Sequence, residues 1–251
     1  MPLPVRSGNP GLNDKTFANQ PRPAVGEERM TLSGTINKSF LMLIVLLAAA
    51  LYPWSQYLST GDASTVSTSI LVGAIGGLVL ALIISFKATL APYLSLPYAA
   101  LEGLAIGGIS ALLERRYPGI AIQAVGLTFG VFAVLLVAFR AGLIRVTQRF
   151  RAIVVGATGA IALVYVISMV LGFFHVNVPV LNDATPLGII VSLVIVGVAA
   201  LNLVLDFDLI QSGVAGGAPR YMEWYSAFGL LVTLVWLYLE ILRLLSKVRS
   251  R

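Results

Sequence analysis

Asn202-Leu-Val-Leu-Asp-Phe-Asp-Leu-Ile-Gln211 closes an apolar run that begins near residue 186, and Leu237-Tyr-Leu-Glu-Ile-Leu242 lies inside another. Each run is long enough to supply the roughly 20 apolar residues with which a helix crosses a bilayer core. Each nevertheless carries carboxylates: Asp206 and Asp208 in the first, Glu240 in the second. A charge at the centre of a membrane helix costs about 2.5 kcal/mol or more even on lenient insertion scales, so such residues normally turn inward and are kept for a task.

Working outward from these two runs, five more stretches have the same character. The spans fall at about 34–54, 66–86, 93–113, 120–140, 152–174, 186–209 and 222–245, each near the length a bilayer demands. The fold class is therefore all-α: a polytopic membrane protein with seven transmembrane helices. The runs are continuously apolar, which excludes a β-barrel, whose strands alternate. Charged residues make up 11% of the chain, against about 25% in a soluble domain. There is no cysteine, which removes disulfides and thiol chemistry, and the single histidine, His175, leaves no histidine-rich metal site. His175 itself reads as a surface residue of an outer loop. The net charge of +6 does not point to nucleic acid, because the basic residues flank the spans, where they set orientation.

Residues 1–32, with five prolines among glycine, asparagine and charges, read as a disordered cytoplasmic tail, and the remainder, 33–251, as one membrane domain. The tail lacks the charged start and apolar core of a signal peptide. With the amino terminus inside, 11 of the 17 basic residues fall on the cytoplasmic side and six outside, in keeping with the positive-inside bias. Four of the six lie in the basic carboxyl end, which would also return inside if the last stretch dipped in and came back. Glycines recur at four-residue spacing (Gly73 and Gly77, Gly103 and Gly107, Gly126 and Gly130), the pattern that lets membrane helices approach closely.

Asn202 and Asp206 share a helix face, whereas Asp208, two residues on, points about 200° away from Asp206. The Asn202–Asp206 stripe makes Asp206 the better inward candidate; the bland alternative is a pair of acids solvated at a helix end. Glu240 has Arg243 three residues on, so a local salt bridge competes with a functional role. Glu102 is the only charge inside the third span and is expected to face the bundle interior. Glu114 with Arg115 and Arg116 reads as an interfacial cluster.

The run Asp206-Phe-Asp-Leu-Ile210 followed by Gly213 resembles the segment that ends the sixth helix of the Bax inhibitor / YccA family. Leu237-Tyr-Leu-Glu-Ile-Leu242 resembles that family's Leu-Tyr-Leu-Asp-Ile-Ile segment in the seventh, and Glu102-Gly103-x-x-x-Gly107 its third-helix signature. The hydropathy profile is similar over about 34–246, one bilayer-length span after another. The resemblance implies a seven-helix bundle with the last helix at its centre, a bacterial member in the cytoplasmic membrane, and a pH-sensitive calcium leak. It also implies that the matched acids, here Asp206 and Glu240, form one proton-linked pair that gates the path and binds calcium in passing. The chain departs from the pattern in three ways. The seventh-helix acid is glutamate, the segment between the two motifs is a few residues longer, and the second helix lacks the arginine that latches the sixth-helix acid in bacterial relatives. Lys87 is the nearby cation left to replace it.

The expected function is thus a pH-sensitive cation leak, with Asp206, Glu240, Asp208, Glu102 and Asn202 along the path. Two carboxylates in one desolvated site titrate as a pair, so their repulsion is expected to loosen the helices as pH rises. Calcium, a hard cation that takes oxygen ligands, is the permeant ion and not a cofactor; the partners are lipid, calcium and protons. The alternative is a regulator whose tail reaches a membrane protease or another stress-response protein. Enzymatic activity is not expected: intramembrane aspartyl proteases carry Gly-x-Gly-Asp, and no aspartate here follows it.

Overall fold

A computed structural model describes residues 28–61, 63–174 and 183–250. It contains α1 (Leu32–Thr60), α2 (Ala63–Phe86), a 3-10 turn (Ala88–Leu90), α3 (Ala91–Arg116), α4 (Ile120–Arg140), α5 (Gln148–Phe173), α6 (Pro186–Ala215) and α7 (Met222–Arg249). Seven helices among the described residues are long and apolar enough to cross a membrane. The seventh stretch is one unbroken helix of 28 residues, about 42 Å at 1.5 Å per residue, so it crosses and does not dip and return. The boundaries follow local chemistry. Thr31, Thr147 and Thr185 each accept a bond from the backbone three residues on, and Pro186 occupies a first-turn position, where its missing N–H costs nothing. Gly61 ends α1 at φ 69°, a conformation glycine adopts without strain. Pro97 lies inside α3.

The expectation of a central last helix holds. α7 packs against α1, α3, α4 and α6 and buries Met222, Tyr225, Phe228, Leu237 and Leu242 almost completely. Tyr98 of α3 meets Phe228 edge-on, with ring centroids 4.9 Å apart. α3 is the other hub, packing on α1 and α2. Two glycine pairs make that possible: a Cβ on Gly103 or Gly107 would strike the α1 main chain at Leu46 or Ala50, and one on Gly73 would strike Leu101 and Ala105. Gly126 and Gly130, by contrast, face open space, so the packing role read from their spacing does not extend to them.

Most of the expected amino-terminal tail, residues 1–27, and the loop holding His175 lie outside the described residues. Residues 28–31 belong to the fold and not to a disordered tail. Met30 is buried and donates its N–H to the Ala218 carbonyl at 2.7 Å, and Arg29 pairs with Pro219 as an antiparallel bridge. The clasp continues at Glu223, a buried acid at the start of α7. Thr31 reaches its carboxylate from both backbone N–H and hydroxyl, each at 2.8 Å, and Lys38 of α1 forms an ion pair with it. Removing one partner of a buried pair leaves an uncompensated charge, at a cost of about 3 kcal/mol. Lys38→Met should therefore lower the melting temperature in detergent by about 5–10 °C, whereas Lys38→Arg keeps most of the stability. A Lys38→Met protein that melts like the parent would show that Thr31 alone satisfies Glu223.

Candidate functional site

α5 stands apart from the rest of the bundle. Its side chains are mostly exposed, Ile153 at 71% and Leu163 at 60% among them, and its packing is mainly on α6. Lipid tails are as apolar as leucine, so no hydrophobic force presses such a helix onto its neighbours, and polar contacts become the glue. α5 carries these at seven-residue intervals, Arg151, Thr158 and Tyr165, and a seven-residue step drifts only about 20° around a helix. One narrow stripe thus faces the bundle.

Each residue of the stripe meets a polar partner. Arg151, itself buried, forms an ion pair with Asp208 of α6. The Asn202 side-chain amide donates to the Thr158 hydroxyl at 2.8 Å and to the Val198 carbonyl at 2.8 Å. The Tyr165 hydroxyl donates to Glu240 Oε1 of α7 at 2.7 Å and accepts from Arg243 Nη1 at 2.6 Å. Arg243 also stands 3.4 Å from both Glu240 oxygens and stacks over the Tyr165 ring at 5.1 Å. The salt bridge that competed with a functional reading of Glu240 is therefore present, but as one side of a three-residue cluster. Beyond it, buried Lys247 donates to Ser192 Oγ at 2.8 Å and to the Gly188 carbonyl at 3.2 Å.

The sequence-selected acids fall at two levels. Asp206 is wholly buried, as its stripe with Asn202 implied, and Asp208 is turned toward α5. Asp206 and Glu240, however, do not meet. Lys247 opposite Gly188 and Ser192 sets the antiparallel register of α7 on α6, which puts Glu240 beside about residue 197. The ladder along α5 gives the same answer, with Tyr165 at Glu240 and Arg151 at Asp208. Either way the two acids stand about 15 Å apart along the axes at 1.5 Å per residue. The expectation of one proton-sharing pair is corrected accordingly, and so is that of one calcium ion held by both, since calcium–oxygen distances are about 2.3–2.6 Å. Among the described residues no group of three or more His, Cys, Asp or Glu stands close enough to hold a metal.

Glu102 points from α3 into its contact with α2, where its Oε2 lies 2.8 Å from the place a Cβ on Gly77 would take. It is half-buried and remote from the α5 ladder. Lys87 is exposed at the end of α2, a helix that packs on α3 and α1, and not on α6; the cation paired with a sixth-helix acid is Arg151 of α5, on Asp208. Arg151 and Lys247 counted in the sequence only as flanking charges, and Tyr165 carried no charge to draw notice. The seven-residue spacing of Arg151, Thr158 and Tyr165 was the signal that could have found Arg151 and Tyr165; Lys247 had none.

A family model described as Bax inhibitor 1 like matches residues 9–250. No curated protein and no solved structure matches the chain.

Proposed function

The chain belongs to the Bax inhibitor 1 like family, and from that membership and the acid-held fifth span we propose that it is a proton-sensitive cation leak, with calcium as the permeant ion. One observation carries the reading. A helix with little apolar packing is fastened by a polar ladder, two of whose rungs contain a carboxylate: the Arg151–Asp208 ion pair, and the hydrogen bond from Tyr165 to Glu240, whose own ion pair with Arg243 lies within α7. Protonation removes the Arg151–Asp208 ion pair and turns the charge-assisted bond from Tyr165 to Glu240 into a weaker neutral one. The rungs are strongest with both acids ionised and weaken as the acids take up protons. α5 then loosens from α6 and α7, and a path opens along the freed face.

This reverses the sign expected from the sequence. Repulsion between two adjacent acids would open the path as pH rises, but Glu240 faces Tyr165 and Arg243, not Asp206, and the acid beside Arg151 is Asp208. Asp206 and Glu240 act in this scheme as successive oxygen stations about 15 Å apart. Weak, multiple sites suit passage, because an ion must leave as readily as it enters. Glu102 lies off the path and serves the α2–α3 contact. The test is calcium entry into liposomes holding the purified protein and an enclosed indicator. Entry should rise when the bath is acidified from neutral. Entry no greater than in protein-free liposomes at either pH would remove the leak and favour the regulator reading.

A further inference from the structure

α1 and α4 both pack on α7, but hardly on each other. Between them lies a groove of about 660 Å³, floored by Leu231, Val235 and Tyr238 of α7 and within the ~300–1,000 Å³ of small-molecule sites. It opens sideways past Leu47 and Ile122, which are 45% and 71% exposed. On α1 it runs from Leu43 to Trp54, about 17 Å at 1.5 Å per residue, close to the hydrocarbon depth of one leaflet, ~15 Å.

The chemistry of its end identifies the occupant. Trp54 lines the groove there and Tyr57 follows one turn later, the aromatic residues that mark a headgroup level. Arg115 stacks over the Tyr57 ring at 5.2 Å, and Arg116 over Tyr117. Arg249 is tied to the same turn through the Tyr117 and Pro118 carbonyls and Gln123. Glu114 is the acid of this rim, and its carboxylate is engaged by the N–H groups of Gly119 at 2.6 Å and Ala121 at 3.0 Å, at the start of α4. Arg115 and Arg116 are exposed and leave the rim positive. We propose that this groove binds one acyl chain of an anionic phospholipid, in the leaflet opposite the amino terminus, with the phosphate held by Arg115 and Arg116. Arginine presents a planar fork of donors to phosphate oxygens.

Native mass spectrometry of the full chain in detergent, with equal amounts of dioleoyl phosphatidylglycerol and phosphatidylcholine added, tests this. The parent should retain phosphatidylglycerol about tenfold more than phosphatidylcholine. Leu47→Trp with Ile122→Trp, which fills the groove, should lose the bound lipid while melting as the parent does. Arg115→Gln with Arg116→Gln, two exposed positions, should keep a lipid but lose the preference for phosphatidylglycerol, and this pair decides alone if the filled groove prevents folding. The proposal is overturned by a parent without preference, by equal retention in the filled groove, or by an unchanged preference in the arginine pair. It is overturned as well by a membrane protein that occupies the groove of the parent in place of lipid.

Discussion

Calcium entry at neutral pH should rise about tenfold in Asp208→Asn, about tenfold in Glu240→Gln, and about a hundredfold in the double variant, with entry at acid pH unchanged in all three. Each substitution leaves a neutral amide where protonation would leave a neutral acid: Asp208→Asn removes the ion pair with Arg151, and Glu240→Gln leaves Tyr165 only a weaker, neutral acceptor. Loss of roughly 1.4 kcal/mol from a closed state shifts a two-state gate about tenfold. The expected multiplication comes from geometry. The rungs are separated by the 14-position step from Arg151 to Tyr165, about 21 Å of helix, and effects at sites beyond about 7–10 Å usually add in free energy. A proton-sharing pair behaves otherwise: the double variant would be no worse than the stronger single one. Liposome flux of the four proteins at both pH values separates the two. A double variant equal to the stronger single would restore the shared pair and remove the two-rung gate.

Gly107→Leu should yield no folded protein, whereas Gly126→Leu should melt as the parent does. Both glycines belong to the same kind of four-residue repeat, and only their surroundings differ. The Gly107 Cβ position is already occupied by the α1 main chain at Ala50, and nothing lies within 4 Å of the corresponding position at Gly126. A flexible side chain can swing aside, but a helix backbone cannot, so α1 and α3 must part along the contact that joins them. Overpacking costs about 1–3 kcal/mol where neighbours can adjust, and here they have no freedom to do so. Size-exclusion profiles and thermal melts in detergent measure the outcome. A monodisperse Gly107→Leu protein with the parent's melting temperature would mean that α1 and α3 are not in close contact.

Much of this fold was legible because its causes are local. Length and hydropathy locate seven spans, and the unbroken run to Arg249 fills a crossing helix. Asn202 and Asp206, on one face because four residues nearly complete a turn, are both buried, although the three residues between them are buried as well. What was not legible depends on register between helices. Arg151 reads as a charge at a membrane edge until Asp208 arrives beside it from 57 residues away, and Tyr165 is silent until Glu240 and Arg243 close on it. Residues 28–31 have no apolar period of their own; their order comes from the 218–223 segment they clasp.

The central claim is that α5 must leave α6 for ions to pass, and the chain's lack of cysteine permits a direct test. Thr158 and Asn202 touch through their side chains at 2.8 Å, the middle rung of the ladder. Thr158→Cys with Asn202→Cys, reconstituted in liposomes, can be joined by oxidation or by a short bifunctional thiol reagent and freed, in the oxidised case, by dithiothreitol. The account predicts that acid-driven calcium entry disappears in the joined protein, returns in full when the disulfide is reduced, and is unaffected by oxidant in either single variant. Undiminished acid-driven entry through a fully joined protein would contradict it.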